Sequence, residues 1–329
     1  MANNKFGLAF LGCGAITDRH SKTLKRIKNS SRLYYASRNP ERAKAMLNTH
    51  HGAGMFVSYD NVFASDEVDA VMICTPPINH KALALAAIAA GKHVIVEKPP
   101  FFSVTDMDEV IAAAVSAGVQ VMVAENYFYR PLLHTVRSWI HAGHIGQPIC
   151  FYVNALKSQH NRDWRNDPHI AGGGALFEGG IHWVSFMNNL DLGTPIVIGG
   201  LRGSQNAQND RTAVLQFHYP NEVIGTLFYS WETPSNLFGL RLSKIYGTEG
   251  TITFETNGVA ALCWGRRKRL SFPEIGDILG RKAMFTDFLD AIRNNRPAAF
   301  SMAKARQDLV AIESIYEQHQ QRQPVSSDQ

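Results

Sequence analysis

The stretch GGGALFEGGIHWVSF, residues 172–186, places Glu178 four residues before His182. On an α-helix that spacing puts both side chains on one face, within hydrogen-bonding reach. Histidine titrates near neutrality, so an acid beside it makes a candidate proton-transfer pair. The same spacing also describes a surface ion pair worth only about 0.2–0.5 kcal/mol. Leu176, Phe177, Ile181 and Trp183 set apolar groups on several sides of the pair, which argues for a buried helix. The glycines before it, Gly172-Gly173-Gly174, suit a backbone packed close to a ligand. A second kind of chemistry is written near the N-terminus, in Gly12-Cys13-Gly14-Ala15-Ile16-Thr17. There Gly12 permits a tight turn, and Gly14, with the backbone of Ala15 and Ile16, lets a pyrophosphate approach a helix N-terminus. Thr17 stands where a third glycine is usual.

The elements around the Gly12–Gly14 turn give it meaning. Apolar runs at residues 7–11, 33–36, 70–74, 93–96 and 119–124 read as strands. Helical patterns at 40–47, 80–90 and 105–117 separate them; Asn39 and Pro40 open the first, and Gly91 and Gly118 close the others. Continuously apolar strands alternating with helices predict a parallel sheet covered on both faces, a dinucleotide-binding Rossmann domain over residues 1–125. The tip of the second strand, Tyr35-Ala36-Ser37-Arg38-Asn39, carries no acid to hold ribose hydroxyls. Ser37 and Arg38 instead suit a 2′-phosphate, which favours NADP, with NAD as the alternative.

Residues 126–329 read as an α+β domain for substrate binding and oligomerisation. Helices are expected at 131–142, 175–188, 283–294 and 304–319, and strands at 149–156, 213–218, 223–231, 240–246 and 251–256. Hairpin-like connections predict a large open, mostly antiparallel sheet with helices on one face. The tail 320–329 is expected to fray.

Bulk properties set bounds on partners. A chain of 329 residues suggests two domains, and 45% apolar with 19% charged residues is an ordinary globular composition. The net charge of +5 suits an anionic ligand, while Arg266-Arg267-Lys268-Arg269 is too short, and too poor in aromatics, for a nucleic-acid surface. The four cysteines, Cys13, Cys74, Cys150 and Cys263, are scattered, so neither a metal site nor a disulfide framework is expected. That pattern, a start without a charged-then-apolar leader and the lack of a membrane-length apolar run lead to the expectation of a cytoplasmic protein.

Further motifs carry a family resemblance. Cys74-Thr75-Pro76-Pro77-Ile78-Asn79-His80 and Glu97-Lys98-Pro99 end the third and fourth strands. Glu125-Asn126-Tyr127, Gly143-His144-Ile145-Gly146 and Gly247-Thr248-Glu249-Gly250 follow in order. Together with the Gly12–Gly14 turn, these resemble the glucose–fructose oxidoreductase / inositol dehydrogenase / MocA family over nearly the whole chain. The resemblance implies that Thr75, Pro76, Asn79, His80 and Asn126 line the cofactor and that Glu97 and Lys98 sit beside its nicotinamide. It implies a cis peptide before Pro99, an ammonium from Lys98 at the reacting oxygen, and His182 as the proton carrier.

Two positions depart from the family's commoner pattern. Glu178 replaces the usual aspartate, and Ser185 stands where a second aspartate often follows. Tyr127, Arg130, Trp164 and Arg165 are further substrate candidates beside Glu178 and His182. The activity implied is an NAD(P)-dependent oxidoreductase acting on a sugar, polyol or related hydroxy or keto compound. The chain would form a homodimer or homotetramer through the second-domain sheet. Two alternatives share these motifs: glycoside cleavage through transient oxidation by bound NAD, and a non-catalytic NADP(H)-binding regulator.

Overall fold

Strand β1 (Gly7–Leu11) is buried at every residue, which requires cover on both sheet faces and fixes it as a central strand. It opens a computed structural model that describes residues 6–27, 31–160, 163–203, 210–234, 239–273 and 276–322. The chain divides into two compact units, 1–125 with 281–305, and 126–280 with 306–329.

The first unit continues through α1 (Ala15–Leu24), β2 (Arg32–Ala36), α2 (Pro40–His50), β3 (Gly54–Phe56) and α3 (Tyr59–Phe63). There follow β4 (Ala70–Ile73), α4 (His80–Ala89), β5 (His93–Val96), α5 (Val104–Ala117) and β6 (Val121–Val123). The strands form a parallel sheet in the order β3-β2-β1-β4-β5-β6. Strand order reverses between β1 and β4, the switch point where open α/β sheets bind ligands beyond their carboxyl ends. The Asn39 side chain accepts from the Glu41 and Arg42 N–H groups, so it caps α2 with Pro40 in the first turn, as the sequence predicts. The expected pattern lacked β3 and α3. Each is short, and β3 is a half-buried edge strand whose three residues show no alternation.

In the second unit, α6 (Pro131–His141), β7 (Pro148–Leu156), α7 (Pro168–Ala171) and α8 (Ile181–Asn188) precede a run of strands. These are β8 (Ile196–Arg202), β9 (Thr212–His218), β10 (Ile224–Ser230), β11 (Leu242–Gly247), β12 (Gly250–Glu255), β13 (Ala261–Trp264) and β14 (Arg269–Ser271). They build one sheet in the order β14-β13-β12-β11-β7-β10-β9-β8, antiparallel except where β7 and β10 pair in parallel. Burial alternates along the strands. Val197, Leu215, Leu227 and Ile245 face the core, while Ile198, Val214, Phe228 and Tyr246 are exposed.

Helix α9 (Arg281–Arg293) returns to the first unit, where the sequence reading had placed it in the second. It packs on α1, with the Phe285 ring edge-on to His20 at 5.1 Å, and buries Met284, Phe288 and Leu289. The unit division falls inside the last helix, α10 (Met302–Arg322). The tail 323–329 lies outside the described residues. Among the described residues, no helix is long and apolar enough to cross a membrane.

Candidate active site

The carboxyl edge of the parallel sheet has the geometry of a phosphate cradle. Gly12 adopts φ +101°, and a Cβ there would stand 3.0 Å from the Cys74 carbonyl oxygen, so only glycine fits the turn. Gly14 caps α1 without any side-chain hydrogen bond, and among the described residues nothing lies within 4 Å of where its Cβ would be. The first N–H groups of a helix have no acceptor within it, so those of α1, at Ala15 and Ile16, suit an anion at the helix N-terminus. Thr17 explains the missing third glycine: its hydroxyl donates to the Gly12 carbonyl at 2.7 Å and ties helix to turn. At the end of β4, the Thr75 hydroxyl is buried and has no partner among the described residues. An open backbone cradle beside an unmatched buried hydroxyl fits the diphosphate of a dinucleotide. At the tip of β2, Ser37 Oγ accepts from the Asn39 N–H at 3.2 Å, and Arg38 is exposed. Neither nearby thiol is activated; burial pushes Cys13 up to about 11 and raises Cys74 well above its ordinary range.

Lys98 follows β5, is half-buried, and joins Pro99 through a cis peptide, as the resemblance implies. Its neighbour Glu97 is buried and bonded to His20 of α1. Burial alone would raise the Glu97 carboxyl, but the His20 hydrogen bond and charge, with Lys98, hold it below its ordinary value. No motif pointed to His20. The available signal was its place on the buried face of α1 with Thr17, Ser21 and Leu24. His80 is 1% exposed, with Nδ1 facing the Pro99 and Pro100 carbonyl oxygens at 3.0 Å and Nε2 facing the Thr75 carbonyl at 2.8 Å. The His80 ring ties together the segments after β4 and β5. Asn79 is half-buried, and its amide reaches the Pro76 carbonyl oxygen at 3.5 Å.

In the second unit, Asn126 and Tyr127 stand on a short 3₁₀ turn, Asn126–Tyr129. The Asn126 amide donates to the Leu279 carbonyl at 2.6 Å. The Tyr127 ring lies flat on His182, with centroids 4.2 Å apart and planes 9° apart. Trp183 meets the Tyr127 ring edge-on at 5.1 Å, and the Arg130 guanidinium lies 4.0 Å from its centroid. Arg130, expected as a substrate contact, is 2% exposed and donates to the Thr256 and Asn257 carbonyl oxygens at 3.5 and 2.9 Å. It reaches His182 through Tyr127.

Glu178 takes an unforeseen partner. The helix expected over 175–188 begins as a π turn, Leu176–Gly180, and becomes α-helical only at Ile181. On that wider turn, buried Glu178 accepts from Arg165 Nε at 3.1 Å. Arg165 also pairs with Asp163 and lies 4.4 Å from the Trp164 ring centroid. Residues 161 and 162 of the same loop lie outside the described residues. Ser185, the other departure, is fully buried in α8. The glycine run answers to packing: a Cβ on Gly173 would meet Phe177 at 2.7 Å, and one on Gly174 would meet Asp210 at 2.3 Å. Among the described residues, no group of three or more histidine, cysteine or acidic side chains could hold a metal ion.

A parallel sheet with a glycine-lined anion cradle at its switch point, followed by a second α+β unit, defines a dinucleotide-binding protein of two parts. Comparison with known families narrows the class. Residues 6–125 match the model described as "Oxidoreductase family, NAD-binding Rossmann fold", and residues 133–253 match the GFO/IDH/MocA C-terminal domain. The chain belongs to the GFO/IDH/MocA family. Similar curated proteins include 1,5-anhydro-D-fructose reductase of Ensifer adhaerens, 29% identical over 66% of this chain and 66% of that protein. Another is scyllo-inositol 2-dehydrogenase (NADP(+)) of Bacillus subtilis, 32% identical over 40% of each. The matched stretches thus span less than two thirds of these relatives' length. The solved structure of levoglucosan dehydrogenase with NADH and levoglucosan shares the fold, with a TM-score of 0.87 at 21% identity, covering 96% of this chain and 97% of that one.

Proposed function

We propose that this chain is an NAD(P)-dependent oxidoreductase, NADP-preferring, that moves a hydride to or from a CH–OH carbon of a sugar, polyol or related compound. The observation that carries the reading is the open backbone at Gly14, with the nearby Thr75 hydroxyl buried and unpartnered among the described residues. The backbone from Gly12 to Ile16 binds the diphosphate; Ser37 and Arg38 bind a 2′-phosphate; Thr75, Pro76, Asn79 and Asn126 line the cofactor, with Glu97 and His80 bracing the segment around Lys98. A nicotinamide held there would supply the hydride acceptor in oxidation and the donor in reduction. The Lys98 ammonium stabilises negative charge on the reacting oxygen, and His182 takes the hydroxyl proton in oxidation and returns it in reduction. Glu178, Arg165 and Trp164 contact substrate hydroxyls, and Tyr127 fixes the His182 ring. The named relatives act on sugar-like or inositol compounds, and one is named for NADP(+), which supports this choice. Scattered cysteines support a reducing cytoplasm as its compartment.

Two measurements test the reading. Fluorescence titration with NADPH and NADH is expected to show tighter NADPH binding; an NADH preference would overturn the role given to Ser37 and Arg38. Absorbance at 340 nm, followed over 1,5-anhydro-D-fructose, levoglucosan, scyllo-inositol and a wider carbohydrate panel, is expected to find a substrate. With it, Lys98→Ala should lose about 10²- to 10⁴-fold in kcat. Full turnover by Lys98→Ala would sink the mechanism.

A further inference from the structure

The three residues that lead into the π turn are gripped by a buried acid and a phenol that no motif singled out. Asp210 is 2% exposed. Its backbone carbonyl accepts from the Ala175 N–H at 2.8 Å, and its Oδ2 accepts from the Leu176 N–H at 2.8 Å. Oδ1 accepts from the Tyr316 hydroxyl of α10 at 2.7 Å, and that hydroxyl oxygen accepts from the Gly174 N–H at 3.4 Å. Three consecutive amides, at positions 174, 175 and 176, are thereby held by one acid–phenol pair. The first N–H groups of a helical segment have no partner inside it, so whatever accepts them sets where the segment starts. The Glu178 N–H then donates to the Gly174 carbonyl at 3.0 Å, which carries that origin to the acid itself.

The grip leaves no slack. A Cβ on Gly173 would stand 2.9 Å from the Tyr316 hydroxyl, and one on Gly174 would stand 2.5 Å from Asp210 Oδ1. A turn further on, a Cβ on Gly179 would lie 2.1 Å from the Tyr229 hydroxyl, which accepts from Trp231 Nε1–H at 2.9 Å. Both ends of the π turn are thus clamped, one by Asp210 and Tyr316, the other by Tyr229.

We propose that Asp210 and Tyr316 are positioning residues, which fix the start of the π turn and so the placement of Glu178 and His182. The proposal rests on the reading of those two residues as the proton-handling and substrate-contacting groups. Asp210 is faced by the Gly174 and Leu176 amides, the Tyr316 hydroxyl of α10 and the field of Tyr229 on β10. Burial pushes its carboxyl up to about 6, against these hydrogen bonds. Above this value the carboxylate accepts from both donors; below it the added proton turns one oxygen into a donor and changes one of the two hydrogen bonds.

Tyr316→Phe and Asp210→Asn are to be compared with His182→Asn, using the panel compound of fastest turnover. Displacements near 1 Å are costly in a preorganised site, so each positioning variant should lose about ten-fold or more in kcat. The Kd for NADPH should stay within about two-fold, since the cradle belongs to the first unit. The acid-side fall in wild-type kcat should change shape in Asp210→Asn, losing the part that Asp210 contributes near pH ~6 while the part that protonation of His182 contributes stays, a change that a merely weakened fold would not produce. Full kcat in Tyr316→Phe, an isosteric change that decides the matter even if Asp210→Asn fails to fold, would overturn the proposal. Loss of turnover in His182→Asn alone would discard the positioning role and keep the proposed function. Full turnover in His182→Asn would overturn the reading of the site, and the proposal with it.

Discussion

Tyr127 does more for His182 than a neighbour four residues away on the same helix could. It lies flat on the imidazole at 4.2 Å and carries the Arg130 guanidinium 4.0 Å from its ring centroid. A stack of this kind is worth about 0.5–1.5 kcal/mol beyond area burial, enough to hold the imidazole plane in one orientation. Tyr127→Leu is therefore expected to cost about ten-fold in kcat, while Tyr127→Phe, which keeps the ring, retains most of it. Equal losses in the two variants would show that the hydroxyl, not the stack, matters. At this scale the sequence offered candidate residue types but not their pairings. Spacing suggested Glu178 with His182, yet the contacts reported for them come from Arg165 and Tyr127, 13 and 55 positions away in the chain. His80 and Arg130 looked like ligand contacts because polar residues near a motif read that way. Spacing cannot show their burial or the backbone carbonyls their side chains meet.

Among the elements, the π turn differs most from expectation. Apolar periodicity and small residues predicted one α-helix over 175–188, and its second half forms as expected in α8. At the first half the Leu176 N–H is taken by Asp210, and the Tyr229 hydroxyl fills the space that a side chain at Gly179 would need. Neither contact is local, so no window of sequence contains it. Gly179→Ala should destabilise the chain by about 1–3 kcal/mol, the usual cost of overpacking, as read by urea denaturation. An unchanged midpoint would mean that Tyr229 can step aside. The repeating strand and helix pattern of the first unit was legible because burial on both faces leaves unbroken apolar runs. Strand β8 was not, since Gly199 and Gly200 interrupt its alternation.

The whole molecule presents one sheet face to solvent with an unusual share of large apolar side chains. Ile198, Val214, Phe228, Leu242, Leu262 and Trp264 are all exposed. We propose that a second copy covers this face, since large apolar side chains gathered on one face suit an interface. Sedimentation of the wild type should show a dimer or larger, and Val214→Glu with Phe228→Glu, paired across β9 and β10, should shift it to monomer. A wild-type monomer at micromolar concentration would rule this out. The two-unit plan was visible in the sequence, but the return of residues 281–305 was not, because a helical pattern does not say which sheet it will cover. That return has a consequence for synthesis. When residue 280 has left the ribosome, all six parallel strands exist, yet the surface of α1 that meets Phe285 is still bare. The nucleotide-binding unit, first in sequence, must wait for almost the last helix before it is complete, and until then the apolar residues that α9 will cover lack that cover.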